Sequence, residues 1–258
     1  MFLSIDAGNS NIVFGFYRED KDSWEEILRI TTKNELKVLQ LEKKLSLFFL
    51  EKEWTMNEID LIGLSTVVPD LKPVLVQFCH SFFGKAPFVI NESSYKVLPV
   101  TTLSPAEIGT DLMANITAAY HRFKTSCIIV DFGTALTFSV VNEDGQVIGV
   151  NIFPGIKTAI HSLFTNTAKL PKVPLVMPES ALGKNTVHAI QAGIFYGYSG
   201  LVKGMLEAIE KETNCRFEVV VTGGMSSLMG HLGDRFGNVD IHLTLKGIYQ
   251  ITKLNLDQ

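Results

Sequence analysis

The first 31 positions alternate between short apolar blocks and polar breaks, a pattern that predicts three strands at 2–6, 11–17 and 25–31. The breaks are the tight turn after Asp6 and the charged stretch "REDKDS". The spacing then changes to a helical one. Leu36, Leu39, Leu45, Leu47, Phe48 and Leu50 predict a helix over 34–51, with Asn34 as its N-cap. A strand at 61–65, a helix at 69–83 with Pro69 in its first turn, and a short strand at 87–90 follow. The second half repeats the order. Strands at 128–131, 136–141 and 146–152 form a second meander, and "PGIK" opens a helix running to 164. A long helix at 185–213, a strand at 217–221, a helix at 225–232, a short strand near 239 and a helix at 244–254 complete the chain.

Each half thus reads as three strands, then helices alternating with single strands. Hairpin connections make antiparallel pairs and helical crossovers make parallel ones, so both sheets are expected to be mixed. The period is too long for a solenoid and fits a domain duplication with a cleft between the halves. The division is placed at 1–114 and 115–258, near the stretch Ser104 to Asp111.

Composition narrows the function classes. A hydrophobic fraction of 46% against 19% charged residues supplies ample core and excludes a disordered chain. A formal net charge of -4 argues against a protein built to hold nucleic acid. No apolar run approaches the roughly 20 residues of a membrane helix. The first residues enter a strand with no basic segment and cleavable apolar stretch, so a cytosolic location is expected. Cys79, Cys127 and Cys215 are distant and odd in number, which predicts small buried side chains, not a disulfide framework. The histidines show no zinc-ligand spacing.

The candidate chemistry lies in two hairpins that match. In "DAGNSN" a strand ends on Asp6, Gly8 lets backbone approach a ligand, and Asn9, Ser10 and Asn11 offer short polar groups that can cradle phosphate oxygens. An Asx-turn closing an ordinary hairpin is the alternative for one copy alone. The second copy, "DFGTA", sets Asp131, Gly133 and Thr134 in the same order, with Asp131 able to serve a cation and Thr134 a phosphate. "VVVTGGM" adds a strand leading to Gly223 and Gly224 and then a helix N-terminus, which favours anions. Neither the P-loop pattern nor the G-x-G-x-x-G fingerprint is present. "LSPAEIGTDLM" supplies the general-base candidate. Ser104, Pro105 and Glu107 have capping-box spacing, Gly109 breaks the turn, and Asp111 starts the next helix, either as its N-cap or as a carboxylate that accepts a hydroxyl proton. Gly193, Gly197, Gly200 and Gly204 recur at helical spacing, which predicts close packing along one stripe. Thr186, near that helix's start, is a cap or a ligand contact.

Assembled in order, "DAGNSNIVFG", "IGTD", "VDFGTALTF", "FPGI", "LPKV", "GKNT", "AIQAGIFYG" and "TGG" resemble the type III pantothenate kinase family of the acetate and sugar kinase/Hsp70/actin superfamily, nearly end to end. The resemblance implies two ribonuclease H-like (actin-like ATPase) α/β domains with mixed five-stranded sheets flanked by helices, and a homodimer. It implies ATP-dependent phosphorylation of the primary hydroxyl of pantothenate to 4'-phosphopantothenate, the first step toward coenzyme A, with magnesium accompanying ATP. Carried over by position, Asp6, Ala7, Gly8, Asn9, Ser10, Asn11, Ile12, Val13 and Thr134 would bind ATP. Asp111 would be the proton acceptor. Gly109, Thr110, Asp111, Leu112 and Thr186 would contact substrate, and Asp131 would bind a monovalent cation, potassium or ammonium. Two positions depart from the family's pattern: Leu112 stands where G-x-D-R has arginine, and Thr102 where the family often has tyrosine, with Tyr95 nearby but out of register. The loss of a guanidinium leaves open a kinase of another small alcohol or sugar, a non-catalytic nucleotide-binding relative, or compensation from Lys157, Lys184 or a second subunit.

Overall fold

A computed structural model describes residues 1–33, 35–167, 170–226 and 238–257. The chain divides into two compact units, one formed by Met1–Arg122 with His242–Gln258, the other by Phe123–Ile241.

The first unit holds a sheet of β1 (Phe2–Ala7), β2 (Asn11–Arg18), β3 (Ser23–Thr31), β4 (Leu61–Thr66) and β5 (Phe88–Val89), in the order β3-β2-β1-β4-β5. The two hairpins give antiparallel pairs, whereas β1–β4 and β4–β5 are parallel because each is joined by a helical crossover. Those crossovers carry α1 (Val38–Glu51) and α2 (Leu71–Phe83). α1 turns Leu41, Leu45 and Phe49 into the core, one every four residues, and leaves Leu39, Leu47 and Leu50 exposed. The apolar spacing in the sequence therefore finds the helix but misplaces its inward face. Asn34, the expected cap, lies outside the described residues, and α1 begins at Val38 after Lys37. Pro69 precedes α2, whose first residue is Leu71. Phe14 meets Phe78 edge-on at 6.1 Å, and Phe16 stacks on Phe48 at 5.3 Å, closing the core between sheet and helices.

Two further helices complete this unit, α3 (Thr110–Phe123) and, at the end of the chain, α6 (Leu243–Leu256). The division at 114 and 115 read from the sequence puts α6 in the second half, but α6 packs on β1 and β4 of the first sheet. Ser4, buried in β1, donates its hydroxyl to the carbonyl of Leu245 at 2.8 Å. A helix after the last strand is free to return to either sheet, and its apolar residues Leu243, Leu245, Ile248 and Ile251 do not say which.

The second unit repeats the meander with β6 (Cys127–Phe132), β7 (Ala135–Val141) and β8 (Val147–Pro154), then adds α4 (Ile156–Thr165), α5 (Thr186–Thr213) and β9 (Glu218–Thr222). Strand order is β8-β7-β6-β9, with β9 parallel to β6. Among the described residues, the fifth strand expected near 239 is a single parallel bridge between Val221 and Val239, flanked by hydrogen bonds from Val221 N to Asn238 O and from Asp240 N to Val221 O, both 2.9 Å. One face of this sheet, with Ile128, Val130, Phe132, Leu136, Phe138, Val219 and Val221, joins the core under α4 and α5. Cys79 and Cys127 are buried, but Cys215 is half-exposed. Burial pushes both buried thiols up to about 12.

Candidate functional site

In the first unit, Asp6 lies beside Val13 on β2 and beside Ser65 on β4. The β1–β2 turn closes with Gly8 N donating to Asn11 O at 2.9 Å. Its carbonyls are tied back by the protein. Thr66 Oγ1 and Val67 N donate to Ala7 O at 3.2 and 3.3 Å, Thr32 Oγ1 donates to Gly8 O at 2.8 Å, and Thr32 N donates to Ser10 O at 3.0 Å. Asn9 and Ser10 remain exposed, an arrangement suited to an anion that needs donors. Ala7, Ile12 and Val13 have buried side chains, so what they can offer a ligand is backbone.

The segment leading to Asp111 departs from the sequence reading. A 3₁₀ turn at Pro105–Glu107 replaces the capping box: Glu107 N donates to Ser104 O at 3.0 Å, and the Ser104 side chain makes no cap bond. α3 then begins at Thr110, with Met113 N bonded to Gly109 O at 3.0 Å, so Asp111 is inside the first turn and is not the N-cap. Its Oδ1 accepts from Leu112 N at 2.7 Å. Burial raises the Asp111 pKa, and it outweighs the opposing effect of the backbone N–H groups of Leu112 and Asp111. A carboxylate held this way is a stronger base than a solvated one. Gly109 makes room for it, because a Cβ there would stand 2.5 Å from Asp111 Oδ1.

Ser65, not singled out from the sequence, and Tyr95, noted there only as out of register, fix this segment. Ser65 Oγ and Thr110 Oγ1 are 2.8 Å apart, so the residue beside Asp6 in the sheet is also bonded to the residue before Asp111. Tyr95, 7% exposed, donates to Ile108 O at 3.4 Å. Its hydroxyl is pushed up to about 12, by burial first and then by the charges of Asp111 and Glu92. The hydroxyl pair in "STVVP", the last two residues of β4, was the available signal for Ser65 and Thr66. Leu112 is half-buried beside Asp111.

In the second unit, Asp131 pairs with Thr137 on β7 and with Thr222 on β9. The turn closes with Gly133 N to Ala135 O at 3.0 Å, and Thr134 O accepts Gly155 N at 3.0 Å and Thr158 Oγ1 at 2.7 Å. A Cβ at Gly155 would stand 2.5 Å from that same Thr134 carbonyl, so the end of β8 lies directly on the turn. Gly223 has φ +92°, and a side chain there would strike Asp131 Oδ1 and the Phe132 backbone. The "TGG" turn is therefore built directly against Asp131. The helix expected at 225–232 falls mostly outside the described residues.

Thr186 stands exposed as the first residue of α5, while the cap is Asn185, whose side chain accepts from His188 N at 2.9 Å. Gly193, Gly197, Gly200 and Gly204 are exposed along α5, with nothing among the described residues within 4 Å of where a Cβ would stand. Packing among the described residues does not account for them. Lys157 and Lys184 are exposed. Among the described residues there is no cluster of three or more His, Cys, Asp or Glu side chains able to hold a metal ion, and no helix long and apolar enough to cross a membrane.

The family described as type III pantothenate kinase matches residues 2–208. A type III pantothenate kinase of Treponema pallidum (strain Nichols) is 40% identical over 258 residues, covering 98% of this chain and 93% of that protein. Among solved structures, a Baf-family protein from Campylobacter jejuni superposes with a TM-score of 0.60 at 20% identity, over 99% of this chain and 100% of that one. The activator of 2-hydroxyisocaproyl-CoA dehydratase from Clostridium difficile, with bound ADPNP, gives 0.56 at 9% identity over 100% and 96%. At such identities the two structures speak for the fold alone.

Proposed function

The chain belongs to the type III pantothenate kinase family, and from that premise we propose that it transfers the terminal phosphoryl group of ATP to the primary hydroxyl of pantothenate, yielding ADP and 4'-phosphopantothenate. The observation that carries the residue assignment is Asp111, a carboxylate made more basic by burial and given its space by Gly109. Asp111 takes the hydroxyl proton as the substrate oxygen attacks the γ-phosphorus, and ADP leaves as the bond to its β-phosphate oxygen breaks. The turn Gly8–Asn11 holds the phosphates with backbone donors and the side chains of Asn9, Ser10 and Asn11, and Asp6 anchors its entry. Thr134 contacts ATP from the second hairpin. Gly109, Thr110, Leu112 and Thr186 border the acceptor, with Leu112 giving an apolar contact in place of a charged fork.

Asp131 is the residue for a monovalent cation, potassium or ammonium. Such a cation supplies positive charge against the phosphates. The donor set fits, since one carboxylate and neighbouring hydroxyls balance a single positive charge. Magnesium accompanies ATP and is held largely by the phosphates and water. A second copy of the chain covers the glycine stripe of α5, because four exposed glycines in a helix each cost about 1 kcal/mol against alanine with no packing gain among the described residues. The place of action is the cytoplasm.

Purified protein with ATP, magnesium, potassium and pantothenate should release ADP in step with phosphopantothenate, followed by mass spectrometry. A folded protein that turns over another hydroxyl compound, and leaves pantothenate untouched, would sink the substrate assignment. Sedimentation tests the dimer: replacing Gly197 by Leu should shift the chain toward monomer.

A further inference from the structure

The second sheet carries Asp131, Thr137, Ser139 and Thr222 on the face opposite its apolar core, since they alternate with the core residues Val130, Phe132, Leu136, Phe138 and Val221. Asp131 and Thr137 are direct cross-strand partners, which puts their Cβ atoms about 4.5–5.5 Å apart on one face. Thr137 is 8% exposed, and its Oγ1 has no hydrogen-bond partner among the described residues. A buried hydroxyl left unpaired is costly, and such groups in folded proteins call for a ligand or a specific reason.

The first sheet provides the control. Its matching aspartate, Asp6, pairs with Val13, which has the same 8% exposure. The hairpin thus accepts an apolar β-branched residue at this place, and the hydroxyl of Thr137 is not required by packing. It is also a hard oxygen with lone pairs, set beside a single carboxylate, and hard oxygens are what an alkali cation takes.

We infer that Thr137 is a ligand of the monovalent cation at Asp131, the hydroxyl and the carboxylate holding the ion together from facing strands. The inference rests on the reading of Asp131 as the cation residue. One carboxylate with a neutral hydroxyl matches a charge of +1, and the absence of a carboxylate or imidazole cluster among the described residues disfavours a divalent ion here.

The test uses thermal stability of the whole protein in potassium chloride against N-methyl-D-glucamine chloride at equal ionic strength, without nucleotide. The wild type should gain stability with potassium. T137V should need roughly tenfold more potassium or worse for the same gain, on the scale of losing one supporting contact at a metal site. T137S, which keeps the hydroxyl, should respond like the wild type. In potassium-free buffer T137V should be at least as stable as the wild type, because it loses only an unpaired hydroxyl; T137A gives a second reading if valine perturbs the strand. A D131N protein that loses the potassium response while T137V and T137A keep it in full would overturn the role of Thr137 and leave Asp131 standing. No potassium response in the wild type would overturn the Asp131 assignment, and this inference with it.

Discussion

The two hairpins share a frame and differ by one residue and one hydroxyl. Three residues, 8–10, separate β1 from β2, whereas two, 133 and 134, separate β6 from β7. Both turns are closed from below by the backbone after the third strand: Thr32 N bonds Ser10 O, and Gly155 N bonds Thr134 O. Ser10 and Thr134 thus occupy matching places, and Asn9 is the extra residue. The longer turn adds an exposed amide side chain, which suits it to several phosphate oxygens. The shorter turn keeps Thr134 near the sheet and places Thr137, where the first copy has Val13, beside the aspartate. On the proposed reading, duplication supplied the geometry and small changes separated the roles.

That separation predicts that the base and the hairpins fail independently. The largest effect belongs to D111N. Loss of a general base should lower kcat by about 10²- to 10⁴-fold. ATP affinity, measured by calorimetry, should stay near wild type because neither hairpin is touched; a parallel loss of ATP binding would break the comparison. The same variant carries a stability sign. The folded-state pKa of Asp111 is raised, so its contribution to stability is fully present below the unfolded-state value and lost as pH rises through the folded-state value. At neutral pH D111N should therefore melt above the wild type, with the gap closing as the solution is acidified into the ordinary carboxylate range.

G109A comes next. Its methyl group would stand 2.5 Å from Asp111 Oδ1 and 3.4 Å from Val67 Cγ1, so the carboxylate must move. A displacement of about 1 Å at a reacting group costs on the order of 10²-fold. The loss should appear in kcat with the fold intact by circular dichroism. Unchanged kinetics would show that the position of Asp111 in α3 is not the productive one.

G223A probes the other hairpin. At φ +92° an alanine is strained, and its side chain would press on Asp131 and Phe132. Strain of this kind costs about 1–3 kcal/mol, read as a lower denaturation midpoint in urea. The potassium requirement should rise while the pH profile set by Asp111 keeps its shape.

Much of this was legible in the sequence because local patterns decided it. Strand alternation gave both meanders, and Asp-x-Gly at matching places marked the hairpins, since a strand ending on a carboxylate needs a glycine wherever backbone comes close. The inward face of α1 was not legible, because leucines lie on both sides of that helix and tertiary packing selected Leu41, Leu45 and Phe49. Nor was the return of α6 to the first sheet, which depends on contacts such as Ser4 with Leu245, 241 positions apart. At the site, Asp111 was proposed from its order within "IGTD", but the hydroxyls that brace its surroundings were not singled out. Ser65 and Thr32 look like ordinary strand-end residues until register and folding bring them to Thr110 and Gly8.

Thr32 gives the smallest prediction and the finest test of the comparison. Each hairpin has a side-chain hydroxyl from beyond its third strand on a turn carbonyl, Thr32 on Gly8 O at 2.8 Å and Thr158 on Thr134 O at 2.7 Å. Valine at either position removes one partly exposed hydrogen bond, about 0.5–1.5 kcal/mol of stability, and keeps the side-chain shape. The stability losses should be similar. Function should separate them, because Gly8 lies within the turn proposed to hold phosphates and Thr134 within the hairpin proposed to hold the cation. T32V should raise the KM for ATP a few-fold and leave the potassium midpoint alone, while T158V should move the potassium midpoint at least as much as the KM for ATP. Equal shifts of both quantities in both variants would mean that the two turns act as one phosphate clamp and that their division of labour is wrong.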